Sequence, residues 1–263
     1  MIDLYNGDCL EVMDKFIEDG IVFDAIITDP PYGTTACKWD SIIPFDEMWL
    51  RLNKLIKPNG VIVLFGSEPF SSQLRVSNLE MYRYDWKWEK SKPTGFMLAK
   101  KQPLRNSEDI IIFYTKQPTY KPIKWYPSDR FLDKRKTYNK ARPESGQFVG
   151  NNKERKKDDG SRLPTTIIGF ESFWGKDMHP TQKPVSLMEY LIKTYTNEGE
   201  LVLDFTMGSG TTLVASKQLN RKGIGIELDK DYFKIAQKRV NEAIQGSSLE
   251  MEYKIETDNL DEF

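Results

Sequence analysis

The sequence predicts an α/β fold. Short apolar runs rich in β-branched residues recur along it, helical periodicities separate several of them, and two of the runs end directly in proline- or glycine-bearing motifs. In chain order, residues 22–28 read as a buried strand, Val-Phe-Asp-Ala-Ile-Ile-Thr. Residues 45–57 read as a helix with Phe45, Met48, Trp49, Leu52 and Ile56 as its apolar positions. Asp46 and Glu47 suit the positive end of its dipole, and Pro58-Asn59-Gly60 supplies its stop. Strands follow at 60–65 and 110–114, a helix at 185–195, a strand at 201–203, a helix at 212–219 and a strand at 223–226. Between 115 and 178 the pattern dissolves into Pro, Gly, Lys, Arg and Asn, and no regular core element is expected. A connection that long in a compact domain reads as a functional insertion, a small subdomain or a partly disordered segment.

Composition narrows the classes. The 263 residues suit one large domain or one domain carrying an insertion. With 39% hydrophobic and 12% aromatic residues and a net charge of −1, a packed core is expected rather than disorder. Cys9 and Cys37 cannot make a disulfide framework and neither lies in a CxxC pair, so no metal site is expected. The longest apolar runs fall far short of the ~18 residues of a membrane span. The first residues lack the basic start and apolar stretch of a secretory signal. These features read as a cytoplasmic protein with reduced thiols and no membrane partner.

The charge is unevenly placed. Residues 86–178 hold 21 Lys+Arg against 11 Asp+Glu, a local +10 that leaves −11 for the rest, and residues 250–263 hold six carboxylates against Lys254. A basic middle in an acidic chain is either the footprint of a polyanion partner or a solvated lysine-rich insertion.

Two motifs carry chemistry. Asp29-Pro30-Pro31-Tyr32 follows the run at 22–28. Its prolines fix two φ angles and remove two donors, leaving carbonyl groups beside one carboxylate and one ring. A planar amino group on a heteroaromatic ring needs those parts, acceptors for its N–H groups and a flat face; the plainer alternative is a capped turn. The second motif, Asp204-Phe205-Thr206-Met207-Gly208-Ser209-Gly210-Thr211-Thr212, follows the strand at 201–203. Its glycines let backbone approach a ligand at the sheet's carboxyl edge. The third glycine of a dinucleotide fingerprint and the Lys of a P-loop are both missing, which weakens NAD and ATP as ligands. Glu227 lies 23 positions after Asp204, near the spacing at which a carboxylate grips ribose hydroxyls, and predicts a nucleoside-bearing cofactor.

Together the motifs resemble the amino-methylating DNA methyltransferases, which transfer a methyl group from S-adenosylmethionine to adenine N6 or cytosine N4. The resemblance spans most of the chain: Asn6-Gly7-Asp8-Cys9-Leu10, the tetrapeptide, Trp86 to Lys90, Ser107 to Lys116, His179-Pro180-Thr181-Gln182-Lys183-Pro184, the glycine loop and Gly225-Ile226-Glu227. The tetrapeptide precedes the glycine loop with the basic region between them, an order similar to the beta group, circularly permuted relative to the gamma group. The resemblance implies a Rossmann-like S-adenosylmethionine-dependent methyltransferase fold with permuted motif order and a basic target-recognition insertion. It divides the chain into a catalytic half (1–114), the insertion (115–178) and a cofactor-binding half (179–263).

The resemblance makes Asp29, Pro30, Pro31 and Tyr32 the catalytic set. It puts the cofactor's methionine end near Phe205, Gly208, Ser209 and Gly210, with Asp204, Thr211 and Thr212 in the same segment. Glu227 is to hold the ribose, and Asp8, with Cys9 beside it, the adenine. His179, Thr181, Gln182 and Lys183 are to line the amino-acid end, Lys183 pairing with its carboxylate. In that family motif His179 serves the cofactor side; a general base and a solvated loop histidine are its other readings. Thr206 and Met207 depart from the loop's usual wording.

The partner implied is double-stranded DNA, with a second copy of the chain and a cognate restriction endonuclease as candidates by analogy. The target base is to be extruded, stacked on Tyr32 and held by Asp29 and the Pro30 carbonyl. Asp at the first tetrapeptide position favours adenine, with cytosine N4 as the alternative. Behind these rank RNA methylation, a binding protein without activity, and protein glutamine methylation, whose tetrapeptide begins with Asn. Cytosine-C5 chemistry is rejected, since neither cysteine follows a proline. Trp39, Phe113, Tyr120 and Trp125 are aromatic candidates for the base or the DNA, and Phe113, lying in an apolar strand-like run, reads as core packing.

Overall fold

A computed structural model of the chain describes residues 1–33, 41–125, 160–171 and 182–247. Cys37, Trp39, His179, Thr181, the acidic tail and most of the basic insertion lie outside the described residues. The apolar runs pair into one sheet of eight described strands: β1 (Ile2–Asn6), β2 (Phe23–Thr28), β3 (Ile56–Gly66), β4 (Tyr82–Thr94), β5 (Arg105–Phe113), β6 (Ile167–Phe170), β7 (Leu201–Asp204) and β8 (Lys222–Glu227). Their spatial order is β1-β8-β7-β2-β3-β5-β4-β6. From β1 to β3 every pairing is parallel; β5 then runs antiparallel to both β3 and β4, and β6 is parallel to β4.

The helices are α1 (Cys9–Glu18), α2 (Phe45–Leu55), α3 (Phe70–Ser77), α4 (Val185–Tyr195), α5 (Thr211–Gln218) and α6 (Lys230–Glu242). Phe23 and Ile26 of β2, Ile62 and Leu64 of β3 and Ile111 and Phe113 of β5 pack with Met13 and Phe16 of α1 and Met48, Trp49 and Leu52 of α2. Leu213 and Val214 of α5 pack with Ala236 and Val240 of α6 in a separate cluster. Each such large side chain taken from water stabilises by about 1.5–3 kcal/mol, which holds the strands parallel although their backbone ladders are distant in sequence. Phe113 is fully buried in this core, the packing role expected of it.

The structure departs from the sequence reading at several points. Helix α2 stops at Leu55, and Pro58-Asn59-Gly60 lies inside β3 instead of ending the helix. The β2–β3 register jumps from Phe23↔Ile56 to Ala25↔Val61, so these residues form a bulge, where a strand tolerates proline. Residues 115–178 do contribute a core element: β6 pairs with β4 through Lys87↔Ile167 to Lys90↔Phe170. Four residues with two isoleucines are too short a run to distinguish from loop by periodicity. The strands β1 and β4 and the helices α1, α3 and α6 are further elements beyond those that the apolar runs and helical periodicities predict.

These elements belong to the larger of two units. In the smaller, residues 122–125 and 160–165 are described, with an antiparallel bridge between Trp125 and Arg162 and a bond from the Trp125 indole to the Leu163 carbonyl, 3.1 Å. Among the described residues no helix is long and apolar enough to cross a membrane.

The topology itself makes a crevice. β2 and β7 are neighbours, yet the chain leaves β2 toward β3 on one side and β7 toward β8 on the other. At such a switch point the loops diverge beyond the carboxyl ends of the strands, which is where open α/β sheets bind ligands.

Candidate active site

Thr28 ends β2, and Asp29-Pro30-Pro31-Tyr32 leaves the sheet beside the loop that follows β7. The two strand ends are laced together. The Thr28 hydroxyl donates to Asp204 Oδ1, the Thr206 amide donates to the same oxygen at 3.2 Å, and Thr206 Oγ1 donates to the Asp29 carbonyl at 3.1 Å. Asp204 is only 3% exposed, and burial pushes its carboxyl up to about 6. Its side chain is thus engaged in fastening β7 to β2.

The tetrapeptide is braced from two sides. The Tyr32 hydroxyl donates to Asp29 Oδ1, and its ring stacks on Phe70 of α3 with centroids 5.0 Å apart and planes 28° apart. Asp29 Oδ2 accepts from the Lys183 ammonium, which also faces Glu108 Oε2 at 3.2 Å. Lys183 is 6% exposed, and its ammonium lies 5.1 Å from the centre of the Phe65 ring. Burial pushes the Asp29 carboxyl up and Lys183 only partly offsets this, so it stays above the usual carboxylate range. Burial alone would lower the Lys183 ammonium, but the Asp29 and Glu108 carboxylates raise it above its ordinary value. Glu108 is held low against burial by Lys183 and by Lys90, whose ammonium is 2.8 Å from Glu108 Oε1.

The glycine loop is held from the other side. Gly208 takes φ +53°, and its amide donates to Glu227 Oε2 at 2.8 Å, while Glu227 Oε1 accepts from the Asp229 amide at 2.8 Å. Ser209 Oγ donates to Gln182 Oε1 at 2.9 Å, and Arg239 of α6 donates to the Ser209 carbonyl at 2.6 Å and to Thr211 Oγ1 at 3.0 Å. Gly210 has a different reason to be glycine. It precedes α5 at φ +78°, and a Cβ there would lie 3.0 Å from that of Ala236. Near the chain start, Asp8 Oδ1 caps α1, accepting from the Leu10 amide at 2.8 Å and the Glu11 amide at 3.3 Å. Burial and the adjacent Asp8 push the Cys9 thiol up to about 12, which disfavours its thiolate form near neutral pH.

The tetrapeptide, Lys183, Glu108, the Asp8 cap, Glu227 and most of the glycine loop line one cavity of about 470 Å³. Every described site residue expected from sequence borders it except Gly210: Asp8, Cys9, Asp29, Pro30, Pro31, Tyr32, Gln182, Lys183, Asp204, Phe205, Gly208, Ser209, Thr211, Thr212 and Glu227. Sequence reasoning missed Glu108, Phe70 and Arg239. For Glu108 a signal existed, since Glu108-Asp109 interrupts a basic stretch immediately before an apolar run. Nothing local marks Phe70 or Arg239, which act through packing and through a bond to a distant loop.

The lining suits a nucleoside bearing an amino-acid tail. The volume lies within the ~300–1,000 Å³ of small-molecule sites. Glu227 Oε2 takes the Gly208 amide and Oε1 the Asp229 amide, and a carboxylate's four acceptor positions leave capacity for ribose hydroxyls. Asp8 Oδ2 has no partner among the described residues and can accept from a base amino group. The backbone of the glycine loop and the start of α5 favour an anionic end.

Comparison with known proteins agrees with this chemistry. The family model described as DNA methylase, for N6 and N4 methyltransferases, matches residues 23–238. The chain is 30% identical over 249 residues to the type II methyltransferase M.HpaI of Haemophilus parainfluenzae, covering 88% of this chain and 72% of that one. It is 27% identical over 270 residues to the type II methyltransferase M2.DpnII of Streptococcus pneumoniae, covering 90% and 88%. Among solved structures, the M1.HpyAVI–SAM complex superposes with a TM-score of 0.64 at 28% identity, covering 92% of this chain and all of the other. The cytosine-N4-specific PvuII DNA methyltransferase shares the fold at a TM-score of 0.62 and 16% identity.

Proposed function

The chain belongs to the DNA methylase family of N6 and N4 methyltransferases, and we propose that it methylates the N6 amino group of an adenine extruded from double-stranded DNA. The observation that carries this reading is the meeting of the Asp29-Pro30-Pro31-Tyr32 acceptor set and the Gly208 loop in one cavity. Asp at the first tetrapeptide position favours adenine over cytosine.

S-adenosylmethionine is the family's cofactor and supplies an activated methyl group when bound. The side chains suited to hold it are Asp8, Glu227, Ser209 and Gln182. The rest of the catalysis is positioning. An amino group cannot reach this cavity from within a stacked duplex, so the nucleotide is extruded at a cost of a few kcal/mol. Asp29 and the Pro30 carbonyl then accept the two amino hydrogens, turning the nitrogen lone pair outward, while Tyr32, backed by Phe70, offers its ring as a platform. Asp29 must be ionised to accept in this way. Lys183 supports that state in a buried setting, so in this proposal it serves Asp29 before any cofactor carboxylate. Transfer leaves one proton to be lost from the methylated nitrogen, and Asp29 is the adjacent acceptor. Residues 115–178 read the DNA sequence between the catalytic half 1–114 and the cofactor-binding half 179–263. A second copy and a cognate endonuclease remain partners by analogy with the type II relatives.

The test is incubation with labelled S-adenosylmethionine and unmethylated genomic DNA, followed by nucleoside mass spectrometry. N6-methyladenine is the expected product. N4-methylcytosine would overturn the base assignment while keeping the mechanism, and absence of both would overturn DNA methylation.

A further inference from the structure

We propose that the tip of the β4–β5 hairpin is a DNA wedge: Phe96, Met97 and Leu98 press into the base stack while Lys100, Lys101 and Arg105 hold flanking phosphates. The inference rests on the DNA-directed reading above, but concerns a segment outside both the cavity and the expected recognition insertion.

Strand register places the tip. β3 ends at Gly66, which pairs with Asp109 of β5, and β3 runs parallel to β2, whose end carries Asp29. Because β5 is antiparallel to β3, its first residues lie beyond the sheet's carboxyl edge, the edge that bears the cavity. At about 3.3 Å per residue, the four steps from Asp109 back to Arg105 extend roughly 13 Å past the end of β3. Glu108, on that same stretch, lines the cavity itself. The hairpin therefore stands on the rim that a DNA substrate must approach.

The tip is built to present apolar groups. After Gly95, at φ +91°, residues Phe96–Leu98 form one tight helical turn, and backbone bonds from the Leu98 amide to Gly95 (2.9 Å) and from the Lys101 amide to Leu98 (2.8 Å) close it. In this ordered turn Phe96 is 67%, Met97 100% and Leu98 43% exposed. Three consecutive large apolar side chains held in water on a functional rim mark a contact surface. Phe, Met and Leu are side chains that proteins insert between base steps to unstack them.

The charge identifies the occupant. Residues 90–107 contain five Lys+Arg and no Asp or Glu. Nearer the sheet each lysine is answered, Lys87 by Asp109 and Lys90 by Glu108. At the tip, Lys100, Lys101 and Arg105 are exposed and have no carboxylate partner among the described residues. Apolar side chains ringed by unanswered cations match a stack of bases ringed by phosphates.

The test uses the full chain with two double variants, Phe96→Ala/Met97→Ala and Lys100→Ala/Lys101→Ala, and the single variant Met97→Ser as the mildest probe. S-adenosylmethionine affinity reports intact folding. Binding to unmethylated genomic DNA fragments is measured across salt concentrations, and methyl incorporation is measured in parallel. The lysine pair is expected to reduce the slope of log affinity against log salt by about 2. The apolar pair should keep that slope but lower the methylation rate on the order of tenfold, with Met97→Ser following in the same direction. If the wild type methylates DNA and all variants match it in slope and rate, the wedge is overturned and the function stands. If only binding to anionic lipid vesicles changes, the surface is a membrane contact and the wedge again falls. If the wild type neither binds nor methylates DNA, the functional reading fails and the wedge with it.

Discussion

The Lys183 ammonium lies against the Asp29 carboxylate, 154 residues away in sequence, and Glu108 meets the same ammonium from β5 at 3.2 Å. Two carboxylates share this buried cation, with Lys90 answering Glu108 from its other oxygen, and the sharing sets how the tetrapeptide responds to pH. Burial raises the Asp29 carboxyl, and Glu108 adds to that rise. Replacing Glu108 by Gln removes the second negative charge, so the Asp29 carboxyl should titrate lower. Since the ionised form accepts the amino hydrogens, the acid limb of the pH profile of kcat/KM should move to lower pH. Methylation rates measured from acid to neutral pH check this; an unmoved limb would place Glu108 outside the machinery.

Asp29→Ala should lower kcat by roughly 100- to 1,000-fold, the usual cost of losing one aimed hydrogen-bonding group. Cofactor affinity, read by calorimetry, should persist, because the Glu227 and Gly208 side of the cavity is untouched.

Thr206 is the side chain that fastens the glycine loop to the tetrapeptide, through its 3.1 Å bond to the Asp29 carbonyl. Thr206→Val keeps the shape and removes the donor. Stability should fall by about 1 kcal/mol, and kcat for DNA by about tenfold as Asp29 loses its register. A variant with wild-type kcat and only a lowered melting temperature would make this bond structural alone.

Asp204 carries a pH signature of its own. Its carboxyl rises from an ordinary 3.8 to about 6 because it is buried. A carboxyl raised in the native state contributes stability at pH below its unfolded value and loses it as pH climbs through its folded value. As pH climbs from below 3.8 to above about 6 this one group should therefore withdraw about 3 kcal/mol in all, at 1.36 kcal/mol per unit. Asp204→Asn should flatten that decline, so the melting temperature of the variant relative to wild type should rise over the same interval.

The two loop glycines should separate binding from folding. At Gly208, φ is +53° and a Cβ would meet nothing within 4 Å, so Gly208→Ala should fold at a cost of about 1 kcal/mol while weakening cofactor binding. Gly210→Ala adds a 3.0 Å contact with Ala236 to φ +78°, so its main loss should be in thermal stability. Melting curves with cofactor titrations on both variants decide the assignment.

Much of this site is legible in the residue string. Asp29-Pro30-Pro31-Tyr32 and Asp204 to Thr212 each need only local chemistry to be noticed, because prolines, glycines and a strand end write their geometry into consecutive residues. The strands at 22–28, 201–203 and 223–226 were visible for the same reason, as continuous apolar runs. The strand at 167–170 and the bulge at Pro58 to Gly60 were not, since the first is too short for periodicity and the second depends on which neighbour β3 pairs with.

The sequence by itself determined the two motifs, their order and the basic character of the middle of the chain. Tertiary structure decided which side chains those motifs meet: Lys183 with Asp29, Glu108 with Lys183, Phe70 with Tyr32, Arg239 with Ser209. Motif chemistry is local, whereas charge partners in a buried cavity are chosen by strand adjacency. The parallel placement of β7 beside β2, and the reversal of β5 that carries Glu108 to the same edge, arise from burying apolar faces far apart in sequence, a constraint no short window of residues contains.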